Sequence, residues 1–202
     1  MQLIGELAPD RPLVVVAMPE EAAYLGTDLP VLVMGVGKVC AAIAVTWALS
    51  GPVRPCEIIN LGTAGALRAG LSGTNEIGLI LQHDFDGDSI QALVGRAYGA
   101  PLRLADSGLA LATGDVFVSD PQQAAALAER ADLVDMEGYA VAAAALSLGV
   151  PVTACKHVSD SADGQAVKSW TSTVAECSRA LGVWLAGYAA QRGWAVSPAQ
   201  GS

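Results

Sequence analysis

The chain is poor in cations, aromatics and histidine, and each shortage excludes something. Eleven Lys and Arg stand against twenty Asp and Glu, a formal charge of −9. Polyanions draw their binding energy from clustered Lys and Arg, so nucleic acid is excluded as a partner. Aromatics make up 5% of a chain that is 52% apolar, which predicts a core of packed aliphatic layers. His83 and His157 are the only histidines, and Cys40, Cys56, Cys155 and Cys177 show no CxxC spacing. A Cys/His zinc site therefore has no support; neither a metal nor another cofactor is expected, and the thiols should be reduced. No apolar run reaches membrane-spanning length, because the Ala-rich stretch 138–155 is interrupted by Gly149 and Pro151. The run 13–18 is only strand-length and is closed by Pro19, Glu20 and Glu21, so no leader is read there and a cytoplasmic location is expected. No polar or Pro-rich linker divides the chain. One domain over 1–202 is expected, ordered over about 11–192, with the patternless tail 194–202 fraying.

Runs rich in β-branched residues recur at 13–18, 31–36, 57–61, 76–82, 109–118, 133–135 and 150–158. Most are apolar on both faces, the pattern of strands covered on each side by helices, and 38–49, 122–130 and 139–148 are the connecting helices. In the last helix Val167, Trp170, Val174, Cys177, Leu181, Trp184 and Tyr188 step by three or four residues and form one apolar stripe. The expectation is a three-layer α/β fold.

Several motifs fail on inspection. Gly35, Gly37 and Lys38 suggest a phosphate loop, but Walker A needs Gly where Leu32 stands and Ser or Thr where Val39 stands. The dinucleotide fingerprint needs a third Gly where Cys40 stands, so a tight strand-to-helix turn is expected, with backbone a small ligand could approach. The run from His83 to Asp88 is not a calcium loop, since Ser89 and Gly95 occupy the positions of its Gly and bidentate Glu; a polar loop at a pocket rim is expected. Gly62, Thr63, Ala64 and Gly65 read as a turn after a strand, either plain or touching a ligand. Cys155 lies inside a β run with no base nearby in pattern and reads as packing, and no GxSxG elbow is present.

Three carboxylates, Glu21, Glu137 and Asp160, each stand where a buried strand ends. Singly they have ordinary explanations: Glu21 and Glu137 would oppose a helix dipole, and Asp160 would cap a helix. In an open α/β sheet, however, ligands bind beyond the carboxyl ends of the strands, so three acids gathered there from distant segments point to one site.

Six segments then carry a resemblance: AMPEEAAYLG at 17–26, VGKVCAA at 36–42, IINLGTAGAL at 58–67, TGDVFV at 113–118, VDMEGYAVA at 134–142 and VSDSAD at 158–163. In this order the chain resembles the methylthioadenosine/adenosylhomocysteine nucleosidases of the nucleoside phosphorylase superfamily, from Leu13 to about Trp184. The resemblance implies a central mixed, twisted sheet flanked by helices, and hydrolysis of the N-glycosidic bond of 5′-modified adenosines without phosphate. It implies that Glu21 activates water, Glu137 beside Met136 holds the ribose hydroxyls, and Asp160, positioned by Ser159, protonates purine N7. Phe117 and Val118 would contact the base, Met18, Val36 and Met136 would form an apolar wall, and Thr63 would sit near the water and sugar. A purine nucleoside is the implied small-molecule partner, and a homodimer is implied in which the His83–Asp88 segment closes a neighbour's pocket. Two alternatives share the scaffold: futalosine hydrolysis, and nucleoside binding or storage without turnover. The chain departs from the family pattern where Lys156 and His157 replace Arg-Ala, and where the stretch from Asp84 to Gly114 is short.

Overall fold

The computed structural model describes residues 1–162 and 166–194, with side chains of 166–172 outside the description. Among the described residues nine strands form one mixed sheet: β1 (Gln2–Ile4), β2 (Leu13–Val16), β3 (Val31–Val33), β4 (Ile58–Ala66), β5 (Thr74–Gln82), β6 (Leu102–Arg103), β7 (Leu109–Thr113), β8 (Leu133–Asp135) and β9 (Val152–Asp160). Their order is β1-β3-β2-β4-β8-β7-β5-β6, and β9 pairs with both β4 and β5. Among the described residues five helices connect them, α1 (Pro19–Ala22), α2 (Lys38–Leu49), α3 (Gly87–Val94), α4 (Pro121–Leu127) and α5 (Gly138–Ser147), and α6 (Ala166–Gln191) follows β9.

Strands apolar on both faces need cover on both, and they have it. Ala41, Val45 and Leu49 of α2 with Val141 and Ala145 of α5 pack on Leu13, Val15, Leu32 and Ile58. On the opposite face Leu181, Leu185 and Tyr188 of α6 pack on Val14, Val16, Ile59 and Cys155. Cys155 is thus packing, its thiol pKa raised by burial. The α6 stripe turns slightly from the expected one. Leu185 and Ala189 are fully buried while Trp184 is only partly buried, and Val167 and Trp170 lie outside the described side chains.

Four short elements were not expected: β1, antiparallel to β3, along with α1, α3 and β6. β1 and β6, of three and two residues, and the four-residue α1 carry too little periodicity to register, while the eight-residue α3 starts inside the run expected as a polar loop. Trp194, placed in the fraying tail, instead packs beside Tyr188 with ring centroids 6.2 Å apart and its N–H donates to the Ala189 carbonyl; 195–202 lie outside the described residues.

The larger correction concerns Gly62–Gly65, expected as a turn. These residues are strand, because β4 runs on to Ala66 and pairs in parallel with β9 from Ile58↔Val152 to Gly65↔Asp160. The register shifts between Ala64 and Gly65, leaving Ser159 as an extra residue on β9. Such bulges re-aim side chains near sites. At its other flank β4 meets β8 antiparallel, Gly65 opposite Val134. The residues following Val134 therefore run back alongside Ala64, Thr63 and Gly62, and the middle of β4 becomes the site's floor.

Candidate active site

A cavity of about 240 Å³ opens over that floor, lined by Met18, Glu21, Val36, Thr63, Phe117, Val118, Met136, Glu137, Ser159 and Asp160, with Asp135 and Val116 among its other walls. Every candidate residue from the sequence lies in it. Most of the wall is apolar, and Val36, Val116 and Phe117 at its mouth are about half-exposed.

Glu21 reaches the cavity from α1, the single turn that Pro19 starts after β2. Its Oε2 accepts the backbone N–H groups of Ala17 (3.0 Å) and Met18 (3.3 Å), so the helix-terminus explanation holds for one oxygen. Its Oε1 accepts from the Thr63 N–H (2.8 Å) and hydroxyl (3.0 Å). The carboxylate thereby joins the end of β2 to the middle of β4. Gly62 lets it do so: a Cβ there would lie 3.1 Å from Glu21 Oε1 and 3.2 Å from Lys156 Nζ.

Glu137 stands at the N-cap position of α5 yet caps nothing. It is buried, and its Oε1 accepts the Gly37 N–H at 2.7 Å. The Gly35–Lys38 turn is therefore a carboxylate holder rather than a phosphate loop, with Gly35 and Gly37 at φ of 97° and 91°. Burial, with Asp135 adding to it, pushes the Glu137 pKa up to about 7 against the opposing pull of Lys156 and the Gly37 bond. Near neutrality this acid is therefore divided between its protonated and its charged form.

Asp160 ends β9 just past the bulge. Its Oδ2 accepts the Ser159 hydroxyl (2.8 Å) and its Oδ1 the Ala162 N–H (2.8 Å), an Asx-type turn in place of the helix cap expected of it. Ala162 takes a φ of 48°, the one left-handed non-glycine among the described residues. A Cβ on Gly65 would come within 3.0 Å of Asp160 Oδ1, so a bare backbone is required beside it.

The sequence noted Lys156 only as a departure, and Asp135 not at all. Lys156 is 2% exposed and its ammonium sits 2.9 Å from Asp135 Oδ2. Asp135 also accepts the Thr113 hydroxyl (2.6 Å) and the Gly138 N–H (2.9 Å). Burial works to strip the lysine of its proton, but Asp135, Glu137 and Glu21 outweigh it and raise its pKa above the usual lysine value. A lysine inside an otherwise apolar strand was the available signal, since such a cation needs buried acids around it.

The strand expected to run to 118 stops at Thr113, and the base-side residues stand on a loop. The His83–Asp88 segment does not line the cavity. His83 packs against Gly114, where a Cβ would lie 2.4 Å from the ring, and α3 begins at Gly87. Among the described residues, no group of three or more His, Cys, Asp or Glu is arranged to hold a metal ion.

Residues 77–185 match the model of the phosphorylase superfamily. The chain is 30% identical to the 5′-methylthioadenosine/S-adenosylhomocysteine nucleosidase of Bacillus cereus, over 67% of this chain and 69% of that protein. Among solved structures, the Streptococcus pneumoniae nucleosidase of the same name, in complex with 8-aminoadenine, superposes with a TM-score of 0.73 at 25% identity, covering 87% of this chain and 97% of that one. Futalosine hydrolase of Helicobacter pylori shares the fold, with a TM-score of 0.79 at 19% identity over 91% of this chain and 98% of that one. The chain belongs to the 5′-methylthioadenosine/S-adenosylhomocysteine nucleosidases of the phosphorylase superfamily.

Proposed function

We propose that this chain, acting as one domain, is a nucleosidase that hydrolyses the N-glycosidic bond of 5′-modified adenosines of the methylthioadenosine and adenosylhomocysteine type, releasing adenine. The observation that carries the reading is the convergence of Glu21, Glu137 and Asp160 on one cavity of nucleoside scale. Glu21, held by four donors in a fixed pose, serves the attacking water. Glu137 accepts from the ribose hydroxyls. Asp160 turns from its local bonds to protonate N7, so that the purine departs nearly neutral while the sugar carbon gains positive charge beside carboxylates. This separates acid from base as in inverting glycoside hydrolysis. Phe117 and Val118 take the base, Thr63 and Ser159 position their neighbouring carboxylates, and Met18, Val36 and Met136 face a thioether rather than a charged 5′ group.

Water rather than phosphate is the nucleophile because of charge. Four carboxylates, Glu21, Asp135, Glu137 and Asp160, line the cavity, and the buried cation beneath it, Lys156, is already paired with Asp135. An entering anion meets repulsion with no free positive partner in this set. Incubation with methylthioadenosine, adenosylhomocysteine and futalosine, with and without phosphate, should release free adenine from the first two at a rate independent of phosphate. A rate proportional to phosphate overturns the hydrolase reading, futalosine preference moves the substrate class, and adenine binding without turnover leaves a binding protein.

The active form is a homodimer on this reading. Val39, Ile43 and Trp47 are 68, 61 and 50% exposed on the outer side of α2 and continue from Val36 at the cavity mouth, an apolar stripe suited to a second copy. Ile43→Glu should give a monomer by sedimentation. The four unpaired cysteines suit a reducing cytoplasm. Among the described residues, no helix is long and apolar enough to cross a membrane.

A further inference from the structure

Val116, Phe117 and Val118 line the cavity, yet the backbone of 116–119 makes no hydrogen bond to another described residue. Its polar anchors lie at its two ends. At the far end Asp120 caps α4 by accepting the Gln122 N–H at 3.0 Å. At the near end Asp115 belongs to a closed ring of three charged residues. The Asp115 carboxylate accepts the Lys38 N–H (2.7 Å), the Asp115 N–H donates to Asp84 Oδ2 (2.8 Å), and the Lys38 ammonium donates to Asp84 Oδ1 (2.5 Å) and Gln82 Oε1 (3.3 Å). Gly37, one residue before Lys38, holds Glu137. Two successive N–H groups at the start of α2 thus register the sugar-side carboxylate and the base-side loop against each other. Gly37 is required here twice over, since it sits at positive φ and a Cβ would lie 3.0 Å from Asp115 Oδ1.

We propose that Lys38 is a positioning residue for the purine: through Asp84 and Asp115 it fixes the 116–118 segment over the cavity in register with Glu137. Lys38 does not line the cavity and touches no reacting atom. Its ammonium is the one side-chain cation of the ring, and Asp84, whose pKa Lys38 and the Asp115 N–H lower against the opposing effect of burial, stays charged to hold both. Charge-assisted bonds of this kind are the stronger ones, and this set replaces the backbone pairing that the loop lacks.

The inference rests on the nucleosidase reading, and the test separates the two. Turnover of methylthioadenosine and calorimetric binding of adenine are measured for the parent, Lys38→Met, Lys38→Arg, Asp84→Asn and the control Arg192→Met. Arg192 faces Glu57 and Tyr188 instead of the ring. Lys38→Met should raise KM and the adenine Kd roughly tenfold, the scale of one charge-assisted bond, with most of the loss in KM rather than kcat. Lys38→Arg should recover part of it, and Lys38→Met with Asp84→Asn should cost little more than either alone. A merely structural lysine would lower Tm, as Arg192→Met should, without moving KM or Kd. Unchanged KM and Kd in folded Lys38→Met, with the parent active, overturn this inference alone. A parent that neither turns over nor binds adenine overturns both.

Discussion

Glu57 and Glu137 are both buried carboxylic acids beside β4, one just before its first residue and one alongside its middle, and their surroundings differ in a way that separates structure from chemistry. Glu57 accepts the hydroxyls of Thr153 (2.5 Å) and Tyr188 (2.7 Å) through one oxygen and faces Arg192 at 4.0 Å with the other. Arg192 in turn lies over the Tyr188 ring, 3.6 Å from its centroid. Burial, with the Glu57 bond adding to it, pushes the Tyr188 pKa up to about 12, so the phenol stays a donor and the cluster is closed. Among the described residues Glu137 has one donor, the Gly37 N–H, and its carboxyl lines the cavity. Equal burial therefore means different things. An acid with its acceptors filled ties elements together, and an acid with acceptor capacity left over beside a cavity is waiting for donors, as two ribose hydroxyls would be.

The sharpest way to break the comparison is to remove charge without volume at both ends. Glu21→Gln and Asp160→Asn should each lower kcat by roughly a hundredfold or more, the scale of a positioned acid or base. Glu57→Gln should leave kcat/KM within about threefold of the parent, the size of a ±0.5 kcal/mol perturbation. Steady-state kinetics decides, and a large kinetic effect at Glu57 would erase the distinction.

Glu137 gives the next effect. Its folded-state pKa is raised from an ordinary 4.5 to about 7, so between those values the folded chain binds a proton that the unfolded chain does not. That contribution to stability is fully present below about pH 4.5 and is lost as the pH rises to about 7, a swing of at most about 3 kcal/mol. Glu137→Gln should flatten this part of the urea-unfolding profile measured from pH 4.5 to 8, while raising KM roughly tenfold through lost charge-assisted bonds to ribose. An unflattened profile would remove Glu137 as the group responsible.

Tyr188→Phe is the smallest. It deletes the donor to Glu57 and should lower unfolding free energy by about 1–3 kcal/mol, the cost of one lost bond to a buried acid, with KM unchanged. Thermal melts and kinetics on one preparation test both halves.

Much of the site was legible in the sequence because its acids follow strands, and a strand end is the best-marked feature of an α/β chain. Helix α2 and strand β8 were read with their boundaries intact, Lys38–Leu49 and Leu133–Asp135, since each joins a clear apolar pattern to a flanking break. Gly62 and Gly65 misled. Glycine marks turns by default, but here it keeps β4 bare so that Glu21, Lys156 and Asp160 can approach, a demand set by residues far along the chain. Lys156 was noticed for the wrong reason. Its role depends on Asp135 lying 2.9 Å away, a tertiary fact that no local pattern carries. The Lys38 ring was hidden likewise, because it closes over three separate segments.

The register shift at Ser159 sets a limit on how this protein can change. Everything beyond it on β9 is displaced by one residue relative to β4, so the aim of Asp160 depends on chain length there and not on side-chain identity alone. Substitutions along β9 can be absorbed by repacking, whereas a single-residue deletion between Ala154 and Ser159 would restore regular pairing, leave Asp160 opposite Gly65 and remove the bulge that aims it. Variation among descendants of this sequence should accordingly run freely in composition along that strand and stop abruptly at its length.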